Sequence, residues 1–131
     1  MASPDFSFPK KEKLCSQKVI EELFSSGRSF IKYPLRVVIL THENQPDTNA
    51  KVLVSVSKRR FKRAYKRNLL KRRIREAYRL NKHLIFPLLE KNSVDIAIAF
   101  VYLPTKILPF REIEKAMIET LESLKKKLSL E

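Results

Sequence analysis

The chain predicts an α+β fold, a sandwich of one sheet with helices, in the order α-β-β-β-α-β-α. Three observations lead there. Apolar residues recur at helical spacing in three stretches, around Val19–Phe24, Leu70–Tyr78 and Ile113–Leu128, while segments rich in Val, Ile and Leu lie between them. A length of 131 residues with 44% hydrophobic residues suits one domain with an ordinary core. Gly27, the sole glycine, and Pro34, Pro104 and Pro109 stand at the borders of these segments. No internal repeat is present.

Residues 1–13 are polar and proline-punctuated, with Lys10, Lys11 and Lys13 close together, and read as a mobile tail before a domain spanning residues 14–131. The first helix is expected from Ser16 to Ser26. Ser16 can cap it, and Gly27 sits where a helix C-terminus favours left-handed backbone. Val19, Ile20, Leu23 and Phe24 form its apolar face. An extended segment, Phe30–Tyr33, ends at Pro34, which cannot donate to a ladder. Leu35–Thr41 and Lys51–Ser57 flank the polar stretch HENQPDTNA and are expected as antiparallel neighbours. In the second of them Val52, Val54 and Val56 share one face.

A long helix is expected from Lys62 to Leu84. At ~100° per residue, Leu70, Ile74, Ala77 and Tyr78 fall on one side. Asn68, Lys71, Arg72, Arg75, Arg79 and Lys82 cluster on an adjoining arc that should stay in water. Val94–Tyr102 is nearly all apolar and reads as a buried strand, followed by a loop bracketed by Pro104 and Pro109. The last helix should run from Phe110 to Leu128, with Ile113, Met117, Leu121, Leu124 and Leu128 inward. Glu112 and Glu114 near its start and Lys125–Lys127 near its end complement the helix dipole, so the three lysines read as dipole partners on a solvated face.

Charge narrows the function. The chain carries a formal +14, and the 25 residues from Lys58 to Lys82 hold thirteen Lys or Arg against Glu76 alone, a net +12. Basicity this concentrated marks a surface for a polyanion, RNA or DNA. The apolar residues interleaved with the cations indicate a folded helix, not a basic tail. Other classes are disfavoured. No apolar run reaches the ~18 residues of a membrane span, and the N-terminus has no stretch of signal-peptide length, so a cytoplasmic protein is expected. Cys15 is the single cysteine and reads as a helix-edge thiol, in keeping with a reducing compartment. His42 and His83 are far apart and read as surface histidines; no Cys/His spacing suggests a metal. One glycine cannot make a phosphate-cradling loop. Asp95 sits in an apolar strand with no evident partner carboxylate, and no nucleophile constellation stands out, so no catalytic residue is expected.

Within the basic segment, Lys and Arg neutralise phosphates without regard to sequence. The Asn68 amide can donate and accept, toward a nucleotide or in a local turn. Tyr65 and Tyr78 are candidates for base stacking, although Tyr78 also falls on the core stripe.

The run SKRRFKRAYKRNLLKRRIREAYR, from Ser57 to Arg79, resembles the signature of the bacterial ribonuclease P protein component family. The matching positions are Ala64, Arg67-Asn68, Leu70, Lys71-Arg72, Ile74 and Arg75-Glu76-Ala77-Tyr78-Arg79. The helix ending Leu23-Phe24 with Gly27 three residues on, and VSVSK before the basic run, extend the resemblance to about residues 14–127. Two positions depart from it. Leu69 replaces a frequent arginine, which removes one contact, and Ile20 replaces an aromatic in the first helix.

The resemblance implies a ribosomal-protein-like fold with a left-handed βαβ crossover, where general rules would give a right-handed one. It implies a function in removing the 5′ leader of precursor tRNA, with the active centre and its Mg²⁺ in a catalytic RNA subunit and no metal bound by the protein alone. Partners would be that RNA and precursor tRNA, not DNA or membrane. Carried over by position, Lys58, Arg59, Arg60, Arg67, Asn68, Lys71, Arg72, Arg75 and Arg79 would bind the RNA subunit. Ile20, Phe24 and Val38 would line a cleft for the single-stranded leader, with core packing the competing role for Phe24. The main alternative is a ribosomal-type structural RNA-binding protein with no part in cleavage. A DNA-binding module is weaker, since no helix-turn-helix pattern precedes the basic helix. A membrane-surface helix is weaker still, because the core needs the apolar stripe.

Overall fold

A computed structural model describes residues 17–43, 50–92 and 94–130. The elements are α1 (Gln17–Ser26), β1 (Arg28–Lys32), β2 (Leu35–Glu43), β3 (Ala50–Ser55), α2 (Ala64–Asn81), a 3₁₀ turn (Lys82–Leu84), α3 (Phe86–Asn92), β4 (Val94–Tyr102) and α4 (Phe110–Leu130). The expected N-terminal tail, Cys15, the Ser16 cap and the whole stretch between β2 and β3 lie outside the described residues, as do the side chains of His42 and Leu128.

The four strands form one mixed sheet in the order β1-β2-β4-β3. β4 is antiparallel to β2, with Leu35 opposite Tyr102 and Glu43 opposite Val94, and parallel to β3, with Ala50 opposite Ile96 and Ser55 opposite Val101. This corrects the expectation that the second and third strands are neighbours. β4 comes between them because its alternate residues are apolar on both faces. Ile96, Ile98, Phe100 and Tyr102 on one face and Ala97 and Ala99 on the other are at most 5% exposed. Such a strand belongs at the centre of a sheet, and the parallel β3–β4 pair is joined through α2, as parallel strands require.

The two faces are covered differently. On one, α2 and α4 bury the larger core: Leu70, Ile74, Ala77 and Tyr78 of α2 and Ile113, Met117, Leu121 and Leu124 of α4 meet Val37, Val52, Val54, Ile98 and Phe100. The Tyr78 and Phe100 rings lie 6.1 Å apart at 50°, a tilted aromatic pair. Tyr78 is therefore a core residue, and each large side chain buried here contributes about 1.5–3 kcal/mol. On the other face, α1 packs Leu23, with Val19 and Ile20, onto Val38, Ala97 and Ala99. The two alanines leave room for a helix backbone to approach.

Three further differences from the sequence reading have local causes. α3 was not expected, because seven residues make too few turns to show a period, and Pro87 is tolerated in a first helical turn. The basic helix is shorter at both ends than expected, tightening into the 3₁₀ turn after Asn81. Gly27 follows α1 but is not left-handed. Its amide donates to the Leu23 carbonyl at 2.9 Å, and a Cβ would stand 2.4 Å from that oxygen and 2.9 Å from the Ile39 carbonyl. Glycine is needed there for close approach of α1 to β2.

Replacing Gly27 by Ala should therefore destabilise the fold by ~1–3 kcal/mol, since both obstructing atoms are backbone. Urea denaturation measures this. An unchanged midpoint would show that the helix–strand corner yields freely.

Candidate nucleic-acid interface

The apolar stripe of α2 fixes where its cations point. With Leu70, Ile74, Ala77 and Tyr78 fully buried, the helix cannot roll, and Asn68, Arg72 and Arg75 are exposed while Lys71 is half-buried. None of these four side chains has a hydrogen bond or ion pair among the described residues, and neither do the exposed Lys58 and Arg59. The Asn68 side chain is exposed and makes no cap or turn bond among the described residues.

Three of the nine expected contact residues are engaged in the protein. Arg67 donates to the carbonyls of Phe61 at 2.7 Å and Lys62 at 2.9 Å, tying the 57–63 loop to the first turns of α2. Arg60 donates to the Leu103 carbonyl in the loop after β4. Arg79 is ion-paired with Glu76, its Nε 3.2 Å from the carboxylate. The Arg79 hydrogen bond holds the Glu76 carboxyl below the usual glutamate range, against a smaller opposing effect of burial. Arg73, which carried no assigned role, donates to the Leu108 carbonyl at 2.7 Å and staples the same loop to α2. Tyr102 completes the bracing: its hydroxyl donates to the Lys106 carbonyl at 2.7 Å and accepts the Leu108 amide at 3.0 Å. Burial pushes that phenol above its ordinary value.

Lys82 corrects the expected wet arc. It is 1% exposed, and its ammonium lies 5.3 Å from the Phe86 ring centre. The helix has ended by this residue, and the 3₁₀ turn rotates the side chain inward against α3. At the far end of α4, Lys127 stands 5.1 Å over the Phe30 ring.

The residues assigned to a leader cleft surround α1 unevenly. Ile20 and Val38 pack together, with Val38 2% exposed beneath the helix, whereas Phe24 is 45% exposed. Beside α1 the same sheet face carries Ile31, Arg36, Val101 and Ser55 in register, with Ile31 63% exposed and the Arg36 Nε held by Ser29 Oγ at 3.0 Å. Tyr65 on α2 is 62% exposed. Among the described residues no helix is long and apolar enough to cross a membrane, and no three His, Cys, Asp or Glu side chains converge as a metal site would require.

This sheet and this flank define a small, strongly basic α+β protein that presents preset cations from a helix locked to its core. The family model described as Ribonuclease P matches residues 8–125. The ribonuclease P protein component of Porphyromonas gingivalis strain W83 is 42% identical over 118 residues, covering 90% of this chain and 86% of that one. That of Petrotoga mobilis is 36% identical over 115 residues, 86% of each. Among solved structures, the RNase P protein from Thermotoga maritima superimposes with a TM-score of 0.67 at 19% identity, covering 86% of this chain and 96% of that one. A Staphylococcus aureus RNase P protein mutant with defective mRNA degradation activity gives 0.69 at 21% identity, covering 88% and 90%. The chain belongs to the ribonuclease P protein family.

Two outcomes follow from the division of the arginines. Arg67→Ala should lose ~1–3 kcal/mol of stability in urea denaturation, whereas Arg72→Ala should stay within ~0.5 kcal/mol of the parent. Equal midpoints would show that the Arg67 bonds do not hold the loop. In an NMR acid titration, Glu76 should titrate below the ordinary ~4.3 and return to it in Arg79→Ala. Because its folded value is depressed, the pair's small stabilisation is present above that ordinary value and fades as pH falls through the depressed one.

Proposed function

We propose that this chain is the protein subunit of ribonuclease P, binding the catalytic RNA subunit and the 5′ leader of precursor tRNA and thereby assisting endonucleolytic removal of the leader. The observation that carries this is a set of side chains without partners among the described residues, Asn68, Lys71, Arg72 and Arg75 on a helix oriented by its buried stripe and Lys58 and Arg59 in the loop before it, in a chain of this family. Preset cations of this kind suit the phosphates of a structured RNA, whose counterions they release. Their backbone is already placed by the braced loop and helix, so the ordering cost on binding falls on the side chains alone.

The leader would lie along α1. A single strand offers splayed bases, and the exposed Phe24 ring together with the neighbouring strip from Ile31 to Ser55 provides an apolar surface beside Arg36 for base and phosphate. Chemistry would belong to the RNA. In this reading the ion that activates water is held mainly by the RNA subunit, since magnesium favours phosphate oxygens and retained waters over all-protein cages. The protein's part is to hold RNA and leader in register, in the cytoplasm.

Cleavage of 5′-labelled precursor tRNA at low magnesium, with a bacterial ribonuclease P RNA, tests the proposal. Product should form only when RNA and protein are combined. Product from purified protein alone would overturn the RNA-centred reading, and tight RNA binding without stimulation would favour a ribosomal-type structural role. Arg72→Ala with Arg75→Ala should weaken RNA-subunit binding and flatten its salt slope by roughly 0.7–0.9 per lost phosphate contact. An unchanged slope removes both residues from the interface. Phe24→Ala should cost ~1–3 kcal/mol of leader affinity while barely altering RNA-subunit affinity or folding; a broad loss of stability would instead make it a core residue.

A further inference from the structure

A second cationic feature lies off the exposed arc of α2. A cavity of about 380 Å³ opens between the 60–66 segment and the loop after β4, lined by Arg60, Phe61, Lys62, Arg63, Lys66, Thr105, Lys106 and Ile107. Five of its eight lining residues are basic and none is acidic. The side chains of Lys62, Arg63, Lys66 and Lys106 have no hydrogen bond or ion pair among the described residues. Like charges gathered in a concavity repel one another, and the concavity focuses their field, so the arrangement is stabilised by an anion.

The cavity is also braced from three directions. Its outer wall is tied to the loop before α2 by Arg60 through the Leu103 carbonyl, to α2 by Arg73 through the Leu108 carbonyl, and to the end of β4 by the Tyr102 hydroxyl through Lys106 and Leu108. A wall made this way stands before any ligand arrives. The volume is at the lower end of small-molecule sites, which run from ~300 to 1,000 Å³, enough for one nucleotide and too little for a duplex. Ile107, 37% exposed, supplies an apolar surface next to the cations.

We propose that this cavity takes one unstacked ribonucleotide, its phosphate held by Lys62, Arg63, Lys66 and Lys106 and its nucleoside against Ile107. This rests on the RNA-binding reading above and adds to it a discrete subsite and two residues, Lys106 and Ile107, from outside the basic segment. A nucleotide splayed from its neighbours suits the subsite, since its nucleoside is free to reach Ile107 while its phosphate meets the cations.

Amide NMR titration of the full-length chain with adenosine monophosphate, inorganic phosphate and adenosine tests it. The monophosphate should give saturable shifts confined to residues 62–66 and 105–107, phosphate should move the same amides more weakly, and adenosine should move none. Lys106→Ala should raise the monophosphate Kd roughly tenfold, the factor lost with one charged hydrogen bond. Ile107→Ser should weaken the monophosphate and spare phosphate. Shifts centred on Arg72 and Arg75, or a Kd unchanged by Lys106→Ala with an intact spectrum, would overturn the site. Equal binding of phosphate and monophosphate would overturn its nucleoside half. Binding of ribonuclease P RNA by the same samples separates the two readings. RNA bound with an indifferent cavity sinks only this inference, and a responsive cavity without RNA-subunit binding sinks the ribonuclease P role instead.

Discussion

Nine residues of β4 pair with β2 on one side and six with β3 on the other, and Ile96 to Phe100 are buried on both faces of the sheet. The rest of the molecule follows from covering it. Its large side chains, Ile96 to Tyr102, call for the paired helices α2 and α4, and its alanines admit α1 at close range on the opposite face. The same demand pins α2. A helix with so many cations would repel itself and drift in water, but four buried side chains hold its orientation against the sheet. Position and direction of the cationic surface are thus consequences of core packing.

The basic residues divide into two kinds of work. Arg60, Arg67 and Arg73 each donate to backbone carbonyls of neighbouring loops, and a guanidinium suits this because its planar fork can serve two acceptors at fixed angles. These three convert two loops into extensions of α2. Among the described residues Lys58, Arg59, Lys71, Arg72 and Arg75 make no ion pair, while Glu76 pairs with Arg79. Because the braces are themselves cationic, the structure gains rigidity without placing acid near the surface, and the positive field around α2 is kept.

Much of this was legible along the chain. The stripe Leu70, Ile74, Ala77 and Tyr78 identified both the buried face and the orientation of its neighbours, since helical periodicity is a local property. The buried character of Val94–Tyr102 was equally plain from its composition. Other features were not. Phe24 shares its spacing with Leu23, yet it lies 45% exposed while Leu23 is fully buried, because α1 meets the sheet through a narrow strip over Ala97 and Ala99. Lys82 continued the cationic arc on a helical projection, but the helix stops one residue earlier. Gly27 stands at the end of α1 as expected but for a different reason, close approach of the Leu23 carbonyl and of the Ile39 carbonyl twelve positions away.

The sequence by itself determined the α+β class, the concentration of charge on one helix, the family and the absence of glycine-built phosphate loops, all of which depend on residue types at short separation. Tertiary structure decided the strand order, the partition of arginines into braces and free cations, and the cavity between residues 60–66 and 105–107. The β2–β4 and β3–β4 pairings, the Arg60 and Arg73 braces and the cavity join segments about thirty or more positions apart. A guanidinium reads the same in sequence whether its partner is a carbonyl or a solvent molecule. Only the packing of β4 brings the carbonyls of Leu103 and Leu108 within reach and thereby settles which it is.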